Sequence, residues 1–322
     1  MTKYKADSSW NIAVASRSFS RHPVLREELL ARYPKAIFND EGLSLKGESL
    51  VSFLSGMDGA ILALEPVTEE VLSQLPQLKT ISKYGVGFDK IDLDAVIKKN
   101  IHLGWTGGVN KRSVSELALC MMLSLIRNID QSSRKIRDGQ WKILPGRLLS
   151  NQTIGIIGCG HIGKDLVSIL KVLGSKILVH DIRDYPEFYK ENSIHPVSLD
   201  ELLAQSDVVS LHIPYNETTA NIISKQRLTT MKDSAILINT ARGGLVDEEA
   251  LENALRTGKL AGAAFDAFAI EPPQSKGLIE LDNFLSTPHI GGSADEAILA
   301  MGRAAIEGLD NNQLPEKGVF PQ

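Results

Sequence analysis

From Thr153 to Asp181 an apolar run, TIGIIG, passes through Gly158-Cys159-Gly160-His161-Ile162-Gly163 into the helical run HIGKDLVSILKVLG, then into a second apolar run, KILVHD. A strand, a glycine loop, a helix and a strand in that order are the context that a dinucleotide-binding glycine motif requires. Gly158 permits the tight turn, Gly160 lets backbone approach a ligand, and Gly163 lets helix and strand pack closely. His161 and Ile162 open the helix, where free amides and the helix dipole favour an anion. The hexamer reads as a seat for the pyrophosphate of a dinucleotide. Taken alone, it also fits a glycine turn without a ligand.

Asp181 ends the second strand, where a carboxylate accepts hydrogen bonds from the adenosine ribose hydroxyls. A carboxylate there repels a 2′-phosphate, so the expected cofactor is NAD rather than NADP. Arg183, two residues on, reads as a solvated loop cation.

The same alternation extends in both directions. Upstream lie NIAVAS (11–16), PVLREELLARY (23–33), GAILAL (59–64), TEEVLSQL (68–75) and LKTISKYG (78–85). Downstream of KILVHD come LDELLAQS (199–206), DVVSLHIP (207–214), SAILINTA (234–241), DEEALENALRTG (247–258), LAGAAFDAF (260–268) and NFLSTPHIGG (283–292). Strands alternating with helices predict parallel sheets with crossover helices, hence an α/β protein of two doubly wound parallel-sheet lobes. At 322 residues the chain suits two domains. After the break WTGGVN, helical spacing runs from Lys111 to Ile129, long enough to leave one lobe and open another. The last helix, Ala294 to about Gly308, is expected to return to the first lobe.

A formal charge of −4 argues against a general binder of nucleic acid or anionic membrane. The N-terminal stretch has no signal-peptide pattern and no run is long enough to span a bilayer, so a cytoplasmic protein is expected. Cys120 and Cys159 are the two cysteines and read as free thiols. His102, His180, His195 and His212 lack paired ligand spacing, and no metal is expected.

Three residues follow successive C-terminal strands: Arg242 in NTARGGLVDEEAL, Glu271 in FDAFAIEPP and His289 in STPHIGG. Strand ends of this kind share one edge of a sheet. A guanidinium holds a carboxylate by two parallel hydrogen bonds, which makes Arg242 a substrate clamp. Hydride transfer to a ketone leaves an alkoxide that needs a proton, and His289 is the acid in reduction and the base in oxidation. A carboxylate on the other ring nitrogen would favour the imidazolium and fix the ring, the role given to Glu271. Singly, each also reads as a structural residue: a helix-flanking cation, a loop acid and a packed histidine.

The stretches GCGHIG, LHIPYNETTANII, INTARGGLVDEEAL, FDAF, EP and TPHIGG, in this order, resemble the D-isomer-specific 2-hydroxyacid dehydrogenases, especially the short phosphoglycerate dehydrogenase-like members without an appended regulatory domain. SKYGVGFDKID and SVSELALCMMLSLIRNI extend the resemblance over nearly the whole chain. It implies a Rossmann NAD-binding domain (107–292) inserted into a flavodoxin-like substrate domain (1–106 and 293–322). It also implies a cleft that closes on ligand and a homodimer formed largely through the Rossmann lobe.

By the same resemblance Arg242, Glu271 and His289 are catalytic, and Asp266 meets the nicotinamide carboxamide. His212, Ile213 and Pro214 flank the adenosine, with Thr240, Ala241, Gly291 and Gly292 also at the cofactor. Lys83, Tyr84, Gly85, Val86 and Gly87 form the substrate loop, with the amides of Val86 and Gly87 on the substrate carboxylate opposite Arg242. Lys83 stands where phosphoglycerate enzymes commonly have a phosphate-binding arginine, and GAILALEP lacks a second arginine that those enzymes often carry. The substrate expected is a small 2-hydroxy or 2-keto acid: 3-phosphoglycerate, glyoxylate or hydroxypyruvate. Two other readings stay open, an NAD-sensing scaffold like the transcriptional co-repressors that resemble this family, and a phosphite-oxidising dehydrogenase.

Overall fold

A computed structural model describes residues 8–274 and 276–316. Residues 1–7 and 317–322, assigned above to the substrate domain, and Ser275, assigned to the NAD-binding domain, lie outside the described residues. The chain divides into two compact units: one runs up to Asn110 and resumes at Asp295, and the other is Lys111–Ala294.

The first unit opens with β1 (Ile12–Val14), β2 (Ile37–Phe38), β3 (Gly59–Leu62), β4 (Thr80–Lys83) and β5 (His102–Gly104). All pair in parallel in the order β5-β4-β3-β1-β2. That is the flavodoxin-like order, with the strand reversal between β1 and β3. Alternate residues point to opposite faces. Ala13, Ala60, Leu62 and Ile81 join one apolar cluster, while Ile12, Val14 and Ile61 join another. The sheet is covered on both faces, as a parallel sheet requires.

The second unit opens with the helix Lys111–Ile126. Periodicity alone carries this helix to Ile129. The structure ends it three residues earlier because Asn128 takes a left-handed conformation (φ 53°) and its side-chain amide donates to the Pro145 carbonyl at 2.9 Å. A separate helix, Ile129–Arg137, follows with no buried residue. The sheet comprises β6 (Thr153–Ile157), β7 (Lys176–His180), β8 (Val208–Leu211), β9 (Ile236–Asn239), β10 (Gly262–Phe265) and β11 (Phe284–Ser286). Its order is β11-β10-β9-β8-β6-β7. A parallel bridge from Val179 to Pro196 adds a vestigial strand outside β7, completing the Rossmann order. Pro196 has no amide proton to donate, which suits it to that edge. Val209, Leu211, Leu237 and Phe265 pack on one face, and Val208, Ile236, Ile238 and Ala264 on the other.

The chain then returns to the first unit as the helix Asp295–Gly308 and β12 (Asn312–Gln313), which pairs antiparallel with β5. Ser82 Oγ donates to the Ala305 carbonyl at 2.6 Å, fastening that helix to β4. No helix among the described residues is long and apolar enough to cross a membrane.

Candidate active site

The glycine loop joins β6 to the helix His161–Val172. Gly158 has φ +98°, and a Cβ there would lie 2.5 Å from the His212 carbonyl oxygen, so backbone touches backbone where two strands end. A Cβ on Gly163 would lie 2.0 Å from the Gly158 oxygen, which is why the helix can pack so near its own loop. Gly160, the N-cap, makes no side-chain capping bond and has nothing within 4 Å of its missing Cβ. The first turn of the helix thus has no capping side chain, and the space beside Gly160 is open, a fit for pyrophosphate.

Asp181 follows β7. Its Oδ2 accepts from the Cys159 amide at 2.6 Å and its Oδ1 from the Arg183 amide at 2.8 Å. One carboxylate thus ties the glycine loop to the exit of the next strand. Each oxygen keeps a further lone pair for a ribose hydroxyl. Burial pushes the Cys159 thiol up to about 11, with Lys164 opposing and Asp181 adding to the shift. Lys164 lies over the Tyr185 ring, 3.6 Å from its centroid.

At the end of β8, His212 Nε2 lies 2.9 Å from Ser210 Oγ, while Nδ1 is sealed from solvent with no partner among the described residues. Burial lowers this histidine to about 3, so the ring is neutral. Thr240 Oγ1, after β9, is likewise sealed and unpartnered. Unsatisfied buried polar atoms call for a ligand or water, and both lie at strand ends beside the glycine loop's sheet edge. The residues present fit a bound dinucleotide. Ile213 packs against Gly158, and the Pro214 carbonyl accepts from Thr219 Oγ1 at 2.8 Å.

Asn239, fully buried at the end of β9, shapes the turn that carries Arg242. Its Oδ1 accepts from the Ala241 amide at 3.1 Å and its Nδ2 donates to the Arg242 carbonyl at 2.8 Å. Arg242 Nη1 donates to the Ala241 carbonyl at 2.8 Å.

Glu271 and His289 leave the neighbouring strands β10 and β11. His289 Nδ1 is 2.9 Å from both carboxylate oxygens of Glu271. An ionised carboxylate only accepts, so Nδ1 carries the proton and Nε2 faces away from Glu271. Glu271 Oε1 also accepts from the Phe268 amide at 3.1 Å, which curls the loop back on itself. His289 has a left-handed backbone, φ 56°, unusual for a non-glycine residue and held by its surroundings.

The holding group is Asp266, 1% exposed. Its Oδ1 accepts from Thr287 Oγ1 and from the Ile290 amide at 2.7 Å, and its Oδ2 accepts from the Gly291 amide at 2.7 Å. These donors bracket His289. Ser113 Oγ donates to the Gly291 carbonyl at 2.6 Å, and Gly292 follows in the same turn. The Asp266 carboxylate is thus engaged with the protein itself, alongside the nicotinamide contact implied by resemblance.

In the first unit, Gly85 (φ +107°) turns the chain after β4. The Val86 carbonyl accepts from Trp105 Nε1 at 3.2 Å, and Gly87 follows beside it. Tyr84 is buried, its ring edge-on to Phe19. Lys83 is 5% exposed, and its ammonium donates to the carbonyls of Ala63 at 2.6 Å and Tyr84 at 3.1 Å. Asn239, Asp266's grip on Thr287 and Glu248 on the Ala269 amide (2.8 Å) were outside the sequence reading. The one local signal was a polar residue, Asn239, inside an otherwise apolar strand run. Among the described residues no cluster of His, Cys, Asp or Glu could hold a metal ion.

A Rossmann sheet with a dinucleotide-fitting glycine loop and a paired histidine and glutamate at its carboxyl edge defines a nicotinamide-dependent oxidoreductase. Residues 119–291 match the family model described as the D-isomer specific 2-hydroxyacid dehydrogenase, NAD binding domain. The chain belongs to that family. It is 36% identical to a hydroxypyruvate reductase of Thermotoga maritima, over 82% of this chain and 87% of the relative. It is 38% identical to a D-3-phosphoglycerate dehydrogenase of Methanocaldococcus jannaschii over 75% of this chain, but that match spans only 47% of the relative's length. Among solved structures, the D-lactate dehydrogenase of Aquifex aeolicus complexed with NAD and lactic acid superposes with a TM-score of 0.80 at 29% identity, covering 92% of this chain and 93% of that one.

Proposed function

We propose that this enzyme reduces a short, unphosphorylated 2-keto acid with NADH, hydroxypyruvate or glyoxylate being the leading substrates, and oxidises the D-2-hydroxy acid in reverse. The observation that carries the reading is the His289–Glu271 pair, with Nδ1 held at 2.9 Å by both carboxylate oxygens. Bound NADH supplies the hydride. His289 Nε2 gives a proton to the substrate's carbonyl oxygen as it becomes an alkoxide, and removes it in the reverse direction. Glu271 keeps the ring in the tautomer that leaves Nε2 for this exchange and stabilises the imidazolium. Arg242 holds the substrate carboxylate by its guanidinium fork, orienting the neighbouring carbonyl carbon.

The choice of an unphosphorylated acid is supported by Lys83. A phosphate dianion needs cations free to meet it, whereas this ammonium is turned onto the carbonyls of Ala63 and Tyr84 in a buried setting. The T. maritima relative is itself named a hydroxypyruvate reductase.

The test is NADH oxidation with glyoxylate, hydroxypyruvate, pyruvate, longer keto acids and 3-phosphohydroxypyruvate. Turnover is expected with the first two and much weaker with the phosphorylated acid; no NADH oxidation across the panel refutes the reading. His289→Ala is expected to abolish turnover with NADH affinity nearly unchanged. Arg242→Ala leaves a substrate charge unpaired and is expected to lose about 2–5 kcal/mol, roughly 30- to several-thousand-fold in rate.

The enzyme is also proposed to be a homodimer. Ile129, Ile136, Trp141, Ile143 and Leu148 of the second unit are all exposed, Trp141 at 90%, and so many large apolar side chains left to solvent within one stretch of about 20 residues support a protein contact. Light scattering of the purified protein decides it, and a monomer at micromolar concentration would rule the dimer out.

A further inference from the structure

Arg242 and Glu271 lie on loops that leave the adjacent strands β9 and β10. The residue that joins these loops is Glu248, which opens the helix Glu248–Arg256, six positions beyond Arg242. Its Oε1 accepts from the Ala269 amide at 2.8 Å. The preceding amide, Phe268, donates to Glu271 Oε1 at 3.1 Å. Two consecutive amides of one turn are thus gripped by two carboxylates, one from within the turn and one from the neighbouring loop's helix. The same peptide rests on Gly243, where a Cβ would fall 1.9 Å from both the carbon and the oxygen of the Phe268 carbonyl.

We propose that Glu248 is a positioning residue for catalysis: by holding the Ala269 amide it fixes the 268–271 turn, so that Glu271 presents both oxygens to His289 Nδ1. The inference rests on the acid–base reading of His289 and Glu271 given above. An acid at this position also suits the helix dipole, and that contribution depends on charge. The positioning role depends on a hydrogen-bond acceptor. Glu248→Gln removes the charge and keeps the acceptor, while Glu248→Met, of nearly the same shape, removes both.

The experiment measures kcat for NADH-dependent hydroxypyruvate reduction and the Kd for NADH in the wild type, Glu248→Gln, Glu248→Met, Glu271→Ala, His289→Ala and the double variant Glu248→Met/Glu271→Ala. Glu248→Met is expected to lower kcat about fivefold with an unchanged NADH Kd, and Glu248→Gln to keep at least half of the wild-type kcat. Where Glu271 is already alanine, adding Glu248→Met is expected to change kcat no further, because its effect runs through Glu271. The inference is overturned if Glu248→Met keeps the wild-type kcat while His289→Ala is inactive. It is equally overturned if Gln is as damaging as Met, or if the loss persists undiminished in the Glu271→Ala background. A fully active His289→Ala overturns the acid–base reading itself and this inference with it.

Discussion

Replacing Gly243 by alanine drives a methyl group into the backbone of the neighbouring loop. The new Cβ would sit 1.9 Å from the Phe268 carbonyl carbon and oxygen and 2.3 Å from the Ala269 nitrogen, where ordinary contact begins at 3.4 Å. The 268–269 peptide therefore has to retreat by about 1.5 Å, the gap between those two distances. That peptide leads directly into Glu271, whose oxygens are 2.9 Å from His289 Nδ1. A displacement of this size breaks the hydrogen bond, since such bonds fade beyond about 3.2 Å. Misplacing a catalytic group by about 1 Å costs on the order of 100-fold in rate, about 2.7 kcal/mol of barrier. Overpacking of this kind also destabilises by about 1–3 kcal/mol, a fall in Tm of a few degrees for a domain of this size. The assay is kcat/KM for hydroxypyruvate with NADH, beside NADH Kd by fluorescence and Tm by calorimetry. The expected variant is folded, binds NADH within about threefold of the wild type because the glycine loop is untouched, and is about 100-fold slower. A variant with at least half the wild-type kcat/KM and an unchanged Tm would refute the interlocking of the two loops.

Asp181→Ala removes the acceptor of both the Cys159 and Arg183 amides and the proposed ribose contact, so NADH affinity is expected to fall by about tenfold or more; an unaltered Kd in a fluorescence titration contradicts it. Cys159 is buried and held up at about 11, whereas Cys120 is exposed, so iodoacetamide at mildly alkaline pH is expected to label Cys120 alone in the native protein, and mass spectrometry detecting modified Cys159 would count against the burial. His212, lowered to about 3 by burial, is expected to stay neutral to below pH 5, read from its ring resonances. Because the folded value is depressed, protons favour the unfolded chain as pH falls below the ordinary histidine value of about 6.5, and the stability it contributes is complete above that point and lost progressively toward pH 3. Between pH 7 and pH 5.5 this amounts to about 1 kcal/mol; a His212→Asn protein with the same pH dependence of urea unfolding as the wild type would exclude it.

Local chemistry made much of this protein legible in its sequence. Apolar runs alternating with helical periodicity announced parallel α/β sheets, since one residue in two or one in three to four must face a core. The glycine hexamer announced its turn, because Gly158 takes a positive φ and Gly163 meets backbone where a side chain would collide. Strand ends announced that Arg242, Glu271 and His289 leave one sheet edge. Edge strands as short as Ile37–Phe38 and Asn312–Gln313 carry too few residues to show a period, and helical spacing runs on to Ile129 past the true end at Ile126 because a left-handed Asn128 leaves no mark on the apolar pattern.

Tertiary packing sets the direction of side chains whose partners are distant in the chain. The sequence places a cation at Lys83, but the packing of β3 beside β4 turns its ammonium onto the Ala63 carbonyl. Asp266 lies 21 residues from Thr287 and Glu248 lies 21 from Ala269, and no local period encodes such bonds. Local conformational preferences are set by neighbouring residues, whereas hydrogen-bond partners across loops are set by which strands pair, and that becomes definite only when the whole sheet has formed.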